Sequence, residues 1–223
     1  MATPRVLSFD VYGTLVDVRG GARAAFIDIL ASAGADHVDP LDVWDYWEAA
    51  NIRRYREPYR SYKTICRESL AETFARFGIR GDPAQIRRYF DAYPSFPRFP
   101  DVDAVLDRLA RDHPLALVSN IDDDLLSATR LGRRFDIVCT AERAGGYKPD
   151  GTLFRSLLRE ANVEAAGLLH SGQSQWTDMV GAKPLGITVA WINRRALTLA
   201  PEVPRPDYEF HDLTPLPGVV GAA

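Results

Sequence analysis

The sequence predicts an α/β protein: a parallel β-sheet with helices on both faces, interrupted after its first strand by a helical insert. Three observations carry this prediction. Short runs without charge, Val6-Leu7-Ser8-Phe9, Leu115-Ala116-Leu117-Val118, Ile137-Val138-Cys139, Gly167-Leu168-Leu169 and the segment 187–192, read as strands buried on both faces. Segments with apolar residues at helical spacing alternate with the later runs, which implies crossover helices on the sheet. Between the first and second runs, residues 21 to about 92 contain helix-like segments only.

Taken in order, the first strand ends at Asp10, and Gly13 lets the chain turn away sharply. Within the insert, Asp39-Pro40 and Asp82-Pro83 are helix starts, each an N-cap acid followed by proline at the first helical position. Tyr93-Pro94-Ser95-Phe96-Pro97-Arg98-Phe99-Pro100 carries three prolines, too rigid for helix and suited to a hinge or linker. Val102, Val105, Leu106 and Leu109 then predict a helix, as do Leu153, Leu157 and Ala161. Tyr208-Glu209-Phe210 is a last short strand, and the tail with Pro201, Pro204, Pro206, Pro215 and Pro217 reads as loop. The expected division is a core of residues 1–17 and 98–223 with residues 18–97 inserted as a helical unit.

Composition narrows the function classes. The chain has 223 residues, 46% hydrophobic, enough for one good core and a smaller attached one. A net charge of −3 offers no basic stripe for nucleic acid. Arg53-Arg54-Tyr55-Arg56 is the exception, and with Glu48 and Glu57 nearby it reads as a solvated helix face. No apolar run reaches 18 residues, and residues 1–5 lack the features of a signal peptide, so a cytoplasmic protein is the default. Cys66 and Cys139 have neither disulfide nor metal-ligand spacing, and His37, His113, His170 and His211 form no ligand pair. The expected partner is a small molecule, without cofactor, metal, nucleic acid or membrane, and with a homodimer left open.

Chemistry concentrates at strand ends, because ligands of parallel sheets bind beyond the carboxyl ends of the strands. Asp10 stands there first. Ser119-Asn120 follow the second run, Lys148-Pro149 the third, and a polar loop ending in Asp178 the fourth. A hydroxyl, an amine and a second acid would thus converge on one carboxylate. Each also has a plainer reading: Asp10, Thr14 and Ser119 as turn residues, Lys148 as a surface lysine before a helix, Asp178 as an N-cap.

The series Asp10-Val11-Tyr12-Gly13-Thr14, Ser119-Asn120-Ile121-Asp122 and Tyr147-Lys148-Pro149-Asp150 resembles the haloacid dehalogenase superfamily, from residue 5 to about 195. The resemblance implies a Rossmann-like core with an inserted cap, and Asp10 as a nucleophile that forms an ester which water then hydrolyses. Phosphatases of that superfamily carry an Asp two residues after the nucleophile to protonate an alkoxide; Tyr12 stands there here. They also carry Gly-Asp where this chain has Gly172-Gln173, which weakens a magnesium site. The resemblance is therefore closest to the type II 2-haloacid dehalogenases.

That resemblance implies roles. Thr14, Lys148 and nearby amides would stabilise the oxyanion, Asp178 would hold Lys148, and Lys148 would keep Asp10 ionised against burial. Val11, Tyr12, Ser119 and Asn120 would meet the substrate, Ser119 its carboxylate and Asn120 the departing halide. Gln173 and Ser174 replace part of a Ser-Ser-Asn run that contacts leaving group or water, Ser174 keeping a catalytic part. Two further positions depart from the family. The cap arginine that cradles halide, just after a Trp, is Asp45 after Trp44, with Arg53 or Arg54 as substitutes; a Tyr six residues after the lysine is Phe154. Trp44, Tyr46 and Trp47 with Asp45 suit a cationic group as well as a halide, or form cap core. The expected activity is a (S)-2-haloacid dehalogenase. The alternatives are a related hydrolase opening a strained ring such as an azetidine-type amino acid, a magnesium-dependent phosphatase, and a silent binding protein.

Overall fold

The structure, a computed structural model, describes residues 4–221; residues 1–3, on which part of the signal-peptide expectation rests, and residues 222–223 lie outside the described residues. Six parallel strands form one sheet in the order β3-β2-β1-β4-β5-β6: β1 Val6–Phe9, β2 Leu115–Ser119, β3 Ile137–Thr140, β4 Leu168–Gly172, β5 Thr188–Ile192 and β6 Tyr208–Phe210. The first strand is central. It pairs Phe9 with Leu117 on one side and with Ser171 on the other, so strand order reverses beside its carboxyl end. A crevice opens at such a switch point.

Alternation along the strands feeds two cores. Leu7, Phe9, Leu115, Leu117, Ala190 and Ile192 pack on one face, and Val6, Ala116, Val118, Val189 and Trp191 on the other. With both faces covered, the inner strands tolerate no charge, which explains the apolar runs, whereas the edge strand β6 carries the exposed Glu209.

Ten helices surround the sheet among the described residues. Between β1 and β2 lie α1 Val18–Ser32, α2 Pro40–Arg54, α3 Tyr62–Phe77, α4 Arg87–Asp91 and α5 Val102–Leu109. The proline signals hold: the Asp39 side chain accepts from Leu41 N at 2.7 Å at the start of α2, and Asp82 accepts from Ala84 N at 2.9 Å in a short turn before α4. An aromatic cluster binds α1, α2 and α4 to the following linker, with Trp47–Tyr89 ring centroids 5.0 Å apart and Tyr89–Tyr93 5.2 Å. Tyr12 joins it edge-on to Tyr93 at 5.2 Å, so the turn after β1 is braced by the insert. Chain entering and chain leaving the insert run side by side, Asp17 N bonding Pro97 O at 2.8 Å and Phe99 N bonding Leu15 O at 3.0 Å.

The remaining helices are α6 Asp123–Ala128, α7 Ala141–Ala144, α8 Thr152–Ala161, α9 Val180–Ala182 and α10 Leu216–Val220. The tail is thus not all loop. Pro217 stands in the first turn of α10, where no helical N–H is required, so proline there does not break the helix. No described helix is long and apolar enough to cross a membrane. Both cysteines are free and buried.

The loop after β2 also anchors the insert. Asp122, 4% exposed, accepts from Tyr62 N at 2.8 Å and Lys63 N at 3.1 Å, capping α3 from outside its own segment. Asp122→Ala strands two amides at this contact and is expected to cost about 1–2 kcal/mol in urea unfolding, with the fold retained. A change below about 0.3 kcal/mol would show that the anchor is dispensable.

Candidate active site

Four strand ends build the site. Asp10 extends the ladder beyond β1, its N–H bonding Ser171 O at 2.9 Å. Gly13 then adopts φ +88°, and a Cβ there would lie 2.8 Å from Gln173 Cγ, so both backbone angle and space require glycine. The turn brings Thr14 round to donate its hydroxyl to Asp10 Oδ2 at 2.9 Å while accepting from Gln173 N at 3.0 Å.

Lys148 follows β3 and α7, with its side chain 1% exposed. Its ammonium donates to Asp10 Oδ1 at 2.8 Å, Val118 O at 3.0 Å and Asp178 Oδ1 at 2.7 Å, which uses all three N–H bonds. Asn120 fixes its backbone: Lys148 N donates to Asn120 Oδ1 at 2.8 Å and Asn120 Nδ2 donates to Lys148 O at 2.9 Å. The Lys148–Pro149 peptide is cis.

Asp178 lies in one wide helical turn, Gln175–Met179, and points back under β4. Its Oδ1 also meets His170 Nε2 at 3.2 Å, and its Oδ2 accepts from Ser174 N at 3.0 Å. His170 Nδ1 in turn meets Ser8 Oγ at 3.0 Å. One neutral tautomer satisfies the chain, Nε2–H donating to Asp178 and Nδ1 accepting from Ser8. Sequence reasoning set His170 aside; its signal was a lone imidazole inside an otherwise apolar strand.

Two carboxylates therefore share one buried ammonium. Burial opposes both, but Lys148, His170 and the Ser174 amide together hold Asp178 well below the usual carboxylate range. The Lys148 ammonium is raised, the two acids outweighing its own desolvation. Asp10 is raised: burial outweighs the ammonium and the Thr14 hydroxyl, and Asp178 adds to the rise. Lys148 thus opposes the rise that burial causes at Asp10 without cancelling it.

A cavity of about 80 Å³ opens over Asp10, space for roughly five to eight waters or a similar number of ligand atoms. Tyr12, Ser119, Asn120, Gln173, Ser174 and Trp44 line it. Ser119 Oγ is buried without a partner. Val11 brings no side chain to the cavity; it is fully buried, and its carbonyl closes the turn by accepting from Leu15 and Val16. Two expected cap residues point elsewhere. Asp45 pairs with Arg19, Nη2 to Oδ2 at 2.8 Å, and Arg53 pairs with Glu72 on α3, half exposed. The α2 residues that do reach the cavity are Trp44, Trp47, Glu48, Asn51 and Ile52, with Tyr55 following the helix. Glu48, half-buried and set against this cavity, is pushed up to about 7 by burial.

The site offers neither a proton donor at the Tyr12 position nor a carboxylate cage for a metal ion. Tyr12 donates its hydroxyl to Thr129 Oγ at 2.8 Å, because the Thr129 proton already goes to Leu125 O. Burial raises that phenol further, so it has no proton to give. A magnesium ion would need carboxylate oxygens facing the cavity. Asp178 has none free, its oxygens taken by Lys148, His170 and Ser174, and among the described residues no group of three His, Cys, Asp or Glu could hold a metal. The residues present do not fit that ion.

Residues 4–186 match the haloacid dehalogenase-like hydrolase family. The chain is 26% identical over 210 residues to (S)-2-haloacid dehalogenase H-109 of Pseudomonas putida, covering 92% of each. It is 25% identical over 214 residues to (S)-2-haloacid dehalogenase 4A of Burkholderia cepacia, covering 94% of this chain and 88% of that one. A solved structure of the L-2-haloacid dehalogenase from Xanthobacter autotrophicus with chloropropionic acid covalently bound superimposes with a TM-score of 0.82 at 24% identity, 98% of each chain covered.

The raised Asp10 sets the acid limb of any reaction in which its ionised carboxylate attacks. Activity is expected to fall as pH drops through a value above the ordinary 3.8, because only the deprotonated form is nucleophilic. The profile is best recorded in a Glu48→Gln background, which removes the second cavity acid. A rate still flat at about pH 4 contradicts the raised carboxyl.

Proposed function

The chain belongs to the haloacid dehalogenase-like hydrolases, and we propose that within this family it is a (S)-2-haloacid dehalogenase, converting a small 2-haloacid to a 2-hydroxy acid and halide. The observation that carries this reading is the carboxylate of Asp10, held by Lys148 and Thr14 at the floor of a small cavity, with Tyr12 and its committed hydroxyl where a proton donor to the leaving group would stand. A halide leaves as a stable anion and needs no proton. The relatives' names point the same way.

In the first step one Asp10 oxygen attacks carbon 2 from the side opposite the halide, forming an aspartyl ester with inversion and releasing halide. In the second, water adds to the Asp10 carbonyl carbon and the oxyanion is met by the Lys148 ammonium and the Thr14 hydroxyl; on collapse one proton of that water passes to the departing alkoxide, giving the hydroxy acid, the other goes to solvent, and the Asp10 carboxylate is restored. Asp178 and Asn120 are positioning residues acting through Lys148. The unpartnered Ser119 hydroxyl receives the substrate carboxylate. Asn120 keeps one N–H for the leaving group, and Trp44, whose indole N–H has no partner, is a second donor on the cap side. Gln173 and Ser174 flank the water. Residues 18–97 serve as the cap and the remainder as the core, acting on a small organic acid in the cytoplasm, as monomer or homodimer.

Asp10→Asn keeps side-chain volume and removes the nucleophile, so halide release and the mass adduct on the protein should both disappear, with turnover below about a hundredth of wild type. In single turnover in heavy-oxygen water with enzyme in excess, label should enter Asp10; label in product alone would mean that water attacks the substrate directly. Exhaustive chelation should leave the rate unchanged, whereas a chelator-sensitive rate restored by magnesium would return the phosphatase reading.

A further inference from the structure

Helix α2 turns a stripe of residues toward the nucleophile that the displacement chemistry does not use in full. Trp44, Glu48, Asn51 and Tyr55 recur at i, i+4, i+7 and i+11, and all four line the cavity over Asp10. Glu48 and Trp44 also border an adjoining chamber with Arg19, Arg194 and Arg195. Among the described residues Glu48 has neither a hydrogen bond nor an ion pair, and Asn51, 2% exposed, has a side-chain oxygen without a partner.

The neighbouring charges do not complete this pair. Arg19 is committed to Asp45 through two hydrogen bonds, Arg194 to Asp101 and Thr14 O, and Arg195 is 46% exposed and reaches toward Asp45 at 3.9 Å. The cavity's own cation, Lys148, has donated all three N–H bonds. Through space Arg195 and Arg19 favour the Glu48 carboxylate while Asp45 and Asp10 oppose it, and burial outweighs the arginines without any direct partner for Glu48 among the described residues. The cap wall thus presents two acceptors lacking donors, set among the rings of Trp44, Trp47 and Tyr55, of which Tyr55 stacks on Tyr147 and Trp44 carries the Arg19 guanidinium 5.9 Å from its centroid. Buried acceptors call for a donor, a carboxylate for a cation, and aromatic faces attract ammonium.

We propose that Glu48 and Asn51, backed by these aromatic rings, form a subsite for a cationic nitrogen of the substrate, so that the preferred substrate is a small zwitterionic acid with its leaving group on carbon 2. This rests on the displacement reading for Asp10. The carboxylate end binds at Ser119, the reacting carbon faces Asp10, and the ammonium end lies against α2. Asp45, three residues earlier on the helix, is neutralised by Arg19 and takes no part.

Binding of inert analogues tests the subsite apart from the chemistry. The series 3-aminopropanoate, 4-aminobutanoate and 5-aminopentanoate is titrated calorimetrically against butanoate, pentanoate and hexanoate, in which methyl replaces ammonium. At about pH 8, at least one amino acid should bind wild type tenfold or more tightly than its partner, and Glu48→Gln should reduce that ratio to about twofold or less. In wild type the ratio should shrink toward about pH 5.5, where Glu48 is protonated, with no such change in the variant. Equal or tighter binding of every alkanoate overturns the proposal, as does a preference that survives Glu48→Gln. Intact-mass trapping of the Asp10 adduct with 2-chloropropanoate is read separately: an adduct without ammonium preference sinks the subsite alone, and ammonium preference without an adduct sinks the displacement reading and leaves the subsite.

Discussion

Lys148 carries its ammonium into a place where its side chain is 1% exposed, and the geometry around Asp10 follows from the need to compensate that charge. An isolated buried charge is costly, and removing one partner of a buried pair typically costs about 3–5 kcal/mol. Here the compensation comes from two acids rather than one. Asp178, fully buried, takes the structural share and is itself held by His170 and the Ser174 amide; Asp10, at 8% exposure, keeps an open side toward the cavity. A carboxylate that shares its cation remains basic enough to attack, while one that monopolises it would be a weaker nucleophile.

That arrangement is possible because the sheet is parallel and its order reverses at β1. The four contributing segments leave strands β1 to β4 at the same edge, so residues as far apart in the chain as Thr14 and Gln173 converge within hydrogen-bond distance. The close approach needs small residues at two places: Gly13, against Gln173, and Gly172, where a Cβ would lie 2.4 Å from Asp178 Cγ. Each glycine gives up conformational freedom so that a functional side chain can occupy the space.

The helical insert supplies the other half of the cavity and is tied to the core by contacts of different kinds. Asp122 caps α3, Tyr12 packs against Tyr93, and the paired segments near residues 16 and 98 form its two-stranded root. Tyr12, which spends its proton on Thr129 of the core, is braced by the insert and offers no donor to the cavity. Polar groups on the insert side are therefore free to set which leaving group and which substrate substituents are accepted.

The strands and the buried acid at the end of the first of them were legible in the chain because they rest on local rules. Charge-free runs report burial on both faces, Asp-Pro reports a helix start, and a polar residue just after such a run reports the open edge of the sheet. The facing of α2 was not legible. Asp45 and Glu48 lie three residues apart, roughly 60° round the helix, and only the docking of α2 against α1 and α3 decides which of them meets the cavity. His170 was passed over because its partners, Ser8 and Asp178, come together only once β1 and β4 are paired. The net direction of the Asp10 pKa was not legible either. Proximity to Lys148 could be read from strand ends, but the balance between burial and a shared charge depends on three-dimensional packing density, which a linear pattern does not encode.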